Sequence, residues 1–202
     1  VSTNSISAPS ILLPWVYDDG GRSAAGFKGT AGDCVTRALA IATGTPYREM
    51  YDRLARSMKS QGFARSARNG VEPKVYKPLL SLWGFVWTPT MFPGQGTRIH
   101  LAQGEVPQEG IYILRLSRHL CTVVDGTIHD TYDPGRNATR CVYGWWQRAT
   151  DGRGRAINVA DQKVLCDQPG CDRPATTISY GEGKNTGTKT WYACDEHKAV
   201  QP

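Results

Sequence analysis

The sequence predicts an α+β protein followed by a small metal-stabilised module, and three observations carry that prediction. Residues 34–60 repeat apolar side chains at helical spacing, and residues 85–146 change to short β-branched and aromatic runs. The tail then carries three cysteines and a histidine as two close pairs. At 202 residues the chain can bury one good core and carry one satellite module. A composition of 40% hydrophobic and 21% charged residues is ordinary for a globular chain.

Taken in order, Cys34, Val35, Ala38, Leu39, Ile41 and Ala42 are apolar nearly all round, which suits a buried helix ended by Gly44 and Pro46. Tyr47, Met50, Tyr51, Leu54 and Met58 recur three and four apart, so Tyr47 to Ser60 reads as a helix with one apolar and one basic face. Gly62 to Gly70 reads as a polar loop, and Pro78 is expected to split the helical stretch that follows. Strands are expected at Phe85–Trp87, Ile111–Leu116, Leu120–Val124, Thr127–His129 and Cys141–Trp146. Asp125-Gly126 between two apolar runs is a hairpin signal. The expectation is thus a helical N-terminal half and an antiparallel C-terminal sheet over residues 1–147, a Gly- and Arg-rich linker at 148–163, and a module at 164–202.

Charge and hydropathy narrow the function. No apolar run approaches the roughly 20 residues that span a bilayer, and Val1 to Ser10 lacks the basic start and apolar stretch of a secretion signal, so a cytoplasmic protein is expected. The net charge of +6 is concentrated in Arg48, Arg53, Arg56, Lys59, Arg65, Arg68, Lys74 and Lys77, opposed only by Glu49, Asp52 and Glu72. Segment 48–77 therefore reads as a solvated helix face, with nucleic acid or an acidic protein as the partner it would attract.

Chemistry is suggested at three positions. In Ala31-Gly32-Asp33-Cys34 a turn leads straight into the helix, so the thiol stands at a helix N-terminus, where unpaired N–H groups and the dipole favour a thiolate. His119 heads a strand pattern far downstream, and Asp130 and Asp133 follow it. Cysteine, distant histidine, then acid is the order of a nucleophile, its base and the group that orients the base. Asp130 closes the strand after the Asp125-Gly126 turn; Asp133 is the alternative, or else shapes the Asp-Pro-Gly turn. Cys121 and Cys141 read as packing residues, His100 and His129 as polar surface positions, and Tyr143, Trp145 and Trp146 as core or the wall of a cleft.

Cys166 and Cys171, then Cys194 and His197, have the spacing of a closed tetrahedral zinc site, with Pro169-Gly170 turning the first pair and a hairpin over Thr176–Tyr180 and Thr188–Tyr192 between the pairs. Four protein ligands make the expected Zn²⁺ structural, supplying folding energy that so short a segment cannot gain from a core.

Gly32-Asp33-Cys34, the strand His119 to Asp125 and the following Asp130-Thr-Tyr-Asp133-Pro resemble the papain-like cysteine peptidase fold. The layout is most similar to that of the bacteriocin leader peptidases, and the whole chain resembles short proteins of actinobacterial phages, some with a Cys-rich tail. The resemblance covers about Ala31 to Trp146. It implies a hydrolase of peptide, isopeptide or amide substrates with Cys34 as nucleophile, His119 as general base and then acid, and Asp130 as the orienting carboxylate. One departure is plain: where such enzymes place a Gln, about six residues before the nucleophile, to donate to the oxyanion, this chain has Lys28, with Thr30 close by.

Overall fold

The computed structural model describes residues 11–64, 66–92, 96 and 98–148, together with the backbone of 177–183 and 187–193. Among these residues it is an α+β structure with three α-helices and a six-stranded mixed sheet. The chain divides into two compact units, one of residues 1–30, 34–50 and 87–147 and the other of 31–33, 51–86 and 148–202. No helix among the described residues is long and apolar enough to cross a membrane.

In the first unit, β1 (Trp15–Tyr17) leads through turns to α1 (Cys34–Thr43). Seven of α1's ten residues are buried, which is why its sequence is apolar on every side. It ends where Gly44 takes a positive φ and the Thr43 hydroxyl turns back to the Leu39 carbonyl at 2.7 Å. Further along come β3 (Ile111–Leu116), β4 (His119–Val124), β5 (Thr127–Asp130) and β6 (Val142–Arg148). With β2 (Phe85–Pro89) at the far edge, the sheet order is β1-β5-β4-β3-β6-β2.

The core follows from strand alternation. Tyr112, Leu114 and Leu116 of β3 and Cys121 and Val123 of β4 point to one side, where Leu13, Leu101, Val106, Ile128 and Val142 join them in a single buried cluster. Ile113 and Thr122 point the other way and are also buried. On that side α1 packs against β4, with further contacts to β3 and β5. The Thr122 hydroxyl donates to the Ala38 carbonyl at 2.8 Å.

The expected β4–β5 hairpin is present: Asp125 and Gly126 both have positive φ, as a two-residue turn between right-twisted strands requires, and Val124 pairs with Thr127. The expected antiparallel sheet needs correction, because β1 pairs in parallel with β5. All three residues of β1 are exposed, so they carry no in-out alternation, and a three-residue strand after Pro14 offers no period to detect. Aromatic packing fixes the β6 side: Trp146 is buried and lies tilted against Trp87, with ring centroids 4.2 Å apart, and the Gly144 backbone comes so close that an added Cβ would clash with the Trp87 ring. Trp145 packs on the core and Tyr143 is exposed beneath the Arg115 guanidinium, so these aromatics divide between interior and surface.

Helix α2 (Tyr47–Ser60) begins in the first unit and continues into the second. Tyr47, Met50, Leu54 and Met58 are buried, while Arg48, Arg53, Arg56 and Lys59 are exposed, as the spacing predicts. The second unit holds a one-turn 3₁₀ helix at Ala67–Asn69, α3 (Pro73–Leu82), and a hairpin of β7 (Thr177–Gly183) and β8 (Gly187–Ala193) in which Thr177 pairs with Ala193. Pro78 does not split α3. Its missing N–H leaves unused only the carbonyl of Lys74, in the exposed first turn where water can take its place. The expected ligands Cys166, Cys171, Cys194 and His197 lie outside the described residues, as do Arg65 and the linker from 149 onward.

Candidate active site

His119 is the first residue of β4 and Asp130 the last of β5, so both stand at one end of the hairpin that Asp125-Gly126 closes. Extending the register past Thr122–His129 sets Asp130 across from Cys121, which makes His119 its diagonal neighbour. The histidine Nε2–H donates to Asp130 Oδ2 over 2.5 Å. Both residues are nearly buried, His119 at 6% and Asp130 at 3% exposure. In so dry a setting the carboxylate fixes both the tautomer and the ring plane of the imidazole.

Cys34 is the first residue of α1 and is half-buried. Its side chain and that of His119 are hydrogen-bonded to one another, and the Leu120 backbone amide hydrogen-bonds the sulfur. Asp130 holds Nε2, and the Tyr132 hydroxyl lies 3.3 Å from Nδ1. The structure thus brings Cys34, His119 and Asp130 into one continuous chain of hydrogen bonds.

Two opposing influences act on each titrating group. Burial pushes the Cys34 thiol up, but the hydrogen bond and charge of His119, the Leu120 amide and the Arg37 charge together outweigh it and hold the thiol below its ordinary value. Burial likewise pulls His119 down, and is outweighed by hydrogen bonds and charge from Asp130 and Cys34, so the imidazole lies above its ordinary value. A depressed thiol beside a raised imidazole favours a thiolate–imidazolium pair.

Asp133 takes its alternative role: its Oδ1 accepts the Gly135 N–H at 2.8 Å, and the side chain shapes the Asp-Pro-Gly turn. His100 and His129 are half-buried rather than free on the surface, His100 Nδ1 lying 3.0 Å from Glu105 and His129 Nδ1 2.9 Å from Asp18. Cys121 is buried as expected, with its thiol pushed well up by desolvation; Cys141 is half-buried and makes an isolated bridge with His100 just before β6. Lys28 is exposed, and its carbonyl accepts from Arg22 at 3.1 Å. No group of three or more potential metal ligands occurs among the described residues.

Three participants escape sequence reasoning. The Leu120 amide has no side-chain signature, and Tyr132 resembles any loop tyrosine until the loop folds over the His119 ring, with centroids 5.2 Å apart. Arg37 did leave a signal, as one arginine three residues after the thiol in an otherwise apolar helix. It is 8% exposed, and its Nη2 lies 3.6 Å from Asp130 Oδ1, the oxygen that also accepts the Thr131 N–H at 2.7 Å.

Compared with protein-family models, with curated proteins and with solved structures, the chain matches none.

Proposed function

We propose that this protein is a cysteine-dependent acyl hydrolase of papain-like chemistry, acting on a peptide, isopeptide or amide carbonyl. The observation that carries the reading is the hydrogen-bonded series Cys34, His119, Asp130, with the thiol held low and the imidazole high. A cysteine opening a helix that packs on a sheet bearing the histidine and the acid on neighbouring strands also fits a papain-like layout.

In this mechanism the Cys34 thiolate adds to the carbonyl carbon, forming a C–S bond and pushing the carbonyl electrons onto oxygen. The Cys34 backbone N–H, which as the first of the helix has no intrahelical acceptor, donates to that oxyanion. Collapse breaks the C–N bond while the His119 imidazolium gives its Nδ1 proton to the departing amine. His119, now neutral, takes a proton from water as the water attacks the thioester; the C–S bond breaks and the thiolate–imidazolium pair returns. Asp130 keeps Nε2–H occupied throughout, so Nδ1 is the nitrogen that exchanges protons.

The test is the rate of iodoacetamide alkylation at Cys34 from pH 4 to 10, located by mass spectrometry, in the native chain and in His119→Ala. Rapid modification at neutral pH that disappears in the variant supports the pair. A thiol inert until its ordinary pKa of about 8.5, or indifferent to His119, removes the hydrolase reading.

A structural Zn²⁺ on Cys166, Cys171, Cys194 and His197 belongs to the same proposal. Its support is the β7–β8 register: Thr177 pairs with Ala193, so the two segments carrying the ligand pairs leave the hairpin from one end. Soft thiolates with one imidazole suit zinc, and the metal would hold this module folded. Metal analysis of the purified chain should find one zinc, lost with chelator together with the far-UV signal of the module; a metal-free chain that keeps that signal counts against it.

A second reading, nucleic-acid binding, draws on the exposed Arg53, Arg56, Lys59, Arg68, Lys74 and Lys77. Binding of this kind would weaken steeply with added salt, whereas Cys34 alkylation would not.

A further inference from the structure

We infer that Arg37 is a positioning residue of this site, the fixed counter-charge of Asp130 that frees the His119 imidazolium to pair with the Cys34 thiolate. The inference rests on the hydrolase reading and deepens it. Asp130 has two oxygens with different partners: Oδ2 accepts from His119 at 2.5 Å, and Oδ1 lies 3.6 Å from Arg37 Nη2. The Arg37 and Asp130 side chains are only 10% and 3% exposed, so water screens neither charge. Arg37 also stands one helical turn beyond Cys34, and its charge acts on that thiol.

Counting charge over these four groups gives the argument. With Arg37 present, thiolate, imidazolium, carboxylate and guanidinium sum to zero. Without it, the same thiolate state leaves a buried net charge of −1, and such a cluster relieves itself by taking up a proton. The group that takes it is Cys34, because the imidazolium is then needed to neutralise Asp130. Arg37 therefore decides whether the proton shared in this site leaves a nucleophile behind.

Other groups near the site are the same in every variant compared below. Cys121 on β4 is buried and neutral, Tyr132 approaches as a hydroxyl, and Arg140 and Asp133, which act on Cys121, have opposite signs. Asp33, the residue before Cys34, is also buried and is common to every variant compared below.

The experiment follows the acid limb of Cys34 alkylation in the full chain and in Arg37→Gln, Arg37→Met and Arg37→Lys, each checked for folding by circular dichroism. Arg37→Gln should move the limb to higher pH by about one unit, an approximately tenfold slower reaction on the limb. Arg37→Lys should keep the limb near its native position. A merely structural arginine predicts lower stability with the limb unmoved, and that result overturns the inference. So does a limb displaced equally in the neutral and lysine variants. If Arg37→Gln does not fold, Arg37→Met, which keeps the apolar stem and loses the charge, decides. A native chain with no depressed limb at all removes the hydrolase reading itself, whereas a depressed native limb indifferent to Arg37 removes only this inference.

Discussion

The Thr122 hydroxyl donates to the carbonyl of Ala38 across 2.8 Å of buried space, three residues after His119 on β4 and four after Cys34 on α1. One side-chain hydrogen bond thus ties the helix that starts with the thiol to the strand that starts with the imidazole. Thr122 is fully buried, so water cannot replace the bond.

Thr122→Val keeps the shape and deletes the hydroxyl. It should lower stability by about 1 kcal/mol in urea unfolding and slow Cys34 alkylation at neutral pH, because α1 is less firmly registered on β4. An unchanged midpoint and rate would show that packing alone sets the register.

The pH profile should have two limbs of different origin. Below the depressed Cys34 pKa the thiol is protonated and inert, so reactivity rises with pH and saturates before the ordinary thiol value of about 8.5. Above the raised His119 pKa, itself higher than 6.5, the imidazolium proton needed by a leaving amine is lost. Amide hydrolysis should therefore be bell-shaped, whereas alkylation, which needs no acid, should show only the rising limb. A falling alkaline limb in alkylation as well would contradict these assignments.

Cys121 provides a control within the same strand. It is 1% exposed and its thiol is pushed well up by desolvation, with the Asp130 charge adding to the effect. In Cys34→Ser at pH 7, Cys121 should remain unmodified by iodoacetamide until denaturant opens the core. Modification at native conditions would mean that the core beneath His119 opens locally.

Gly126 should matter to the site at a distance. Its φ of +75° suits glycine, and an added Cβ would lie 3.3 Å from the Gln108 carbonyl oxygen. Gly126→Ala should cost about 1 kcal/mol or more and reduce Cys34 reactivity by disturbing the turn that sets Asp130 beside His119. Measured stability and alkylation rate should fall together; a destabilised variant with native reactivity would show that the Asp130 position does not depend on this turn.

Much of the architecture was legible because it is local. The apolar circumference of α1 gives its observed start and falls one residue short of its end, the three-four spacing of α2 reproduces its observed bounds, and the Asp125-Gly126 pair announces the hairpin. Where local signals are weak the reading failed: β1 is short and exposed, and a proline in α3 was given more breaking power than its place above the exposed first turn allows.

For the site, residue order and local position singled out Cys34 and His119 from sequence, because helix starts and strand starts are local features. Asp130 was preferred to Asp133 on the strength of the Asp125-Gly126 turn, and the hairpin register sets it beside the imidazole and leaves Asp133 to its own turn. Tyr132 and the Leu120 amide enter only through contacts in the folded chain, and Arg37, visible as an arginine in an apolar helix, gains its role only there. By itself the sequence determined most of the elements, β1 and the continuity of α3 excepted, and which side chains can do chemistry, since both follow from short-range periodicity and residue type. Only the tertiary structure decided which charges share one dry volume, because burial and distance set the strength of an electrostatic interaction and neither is a property of a segment alone.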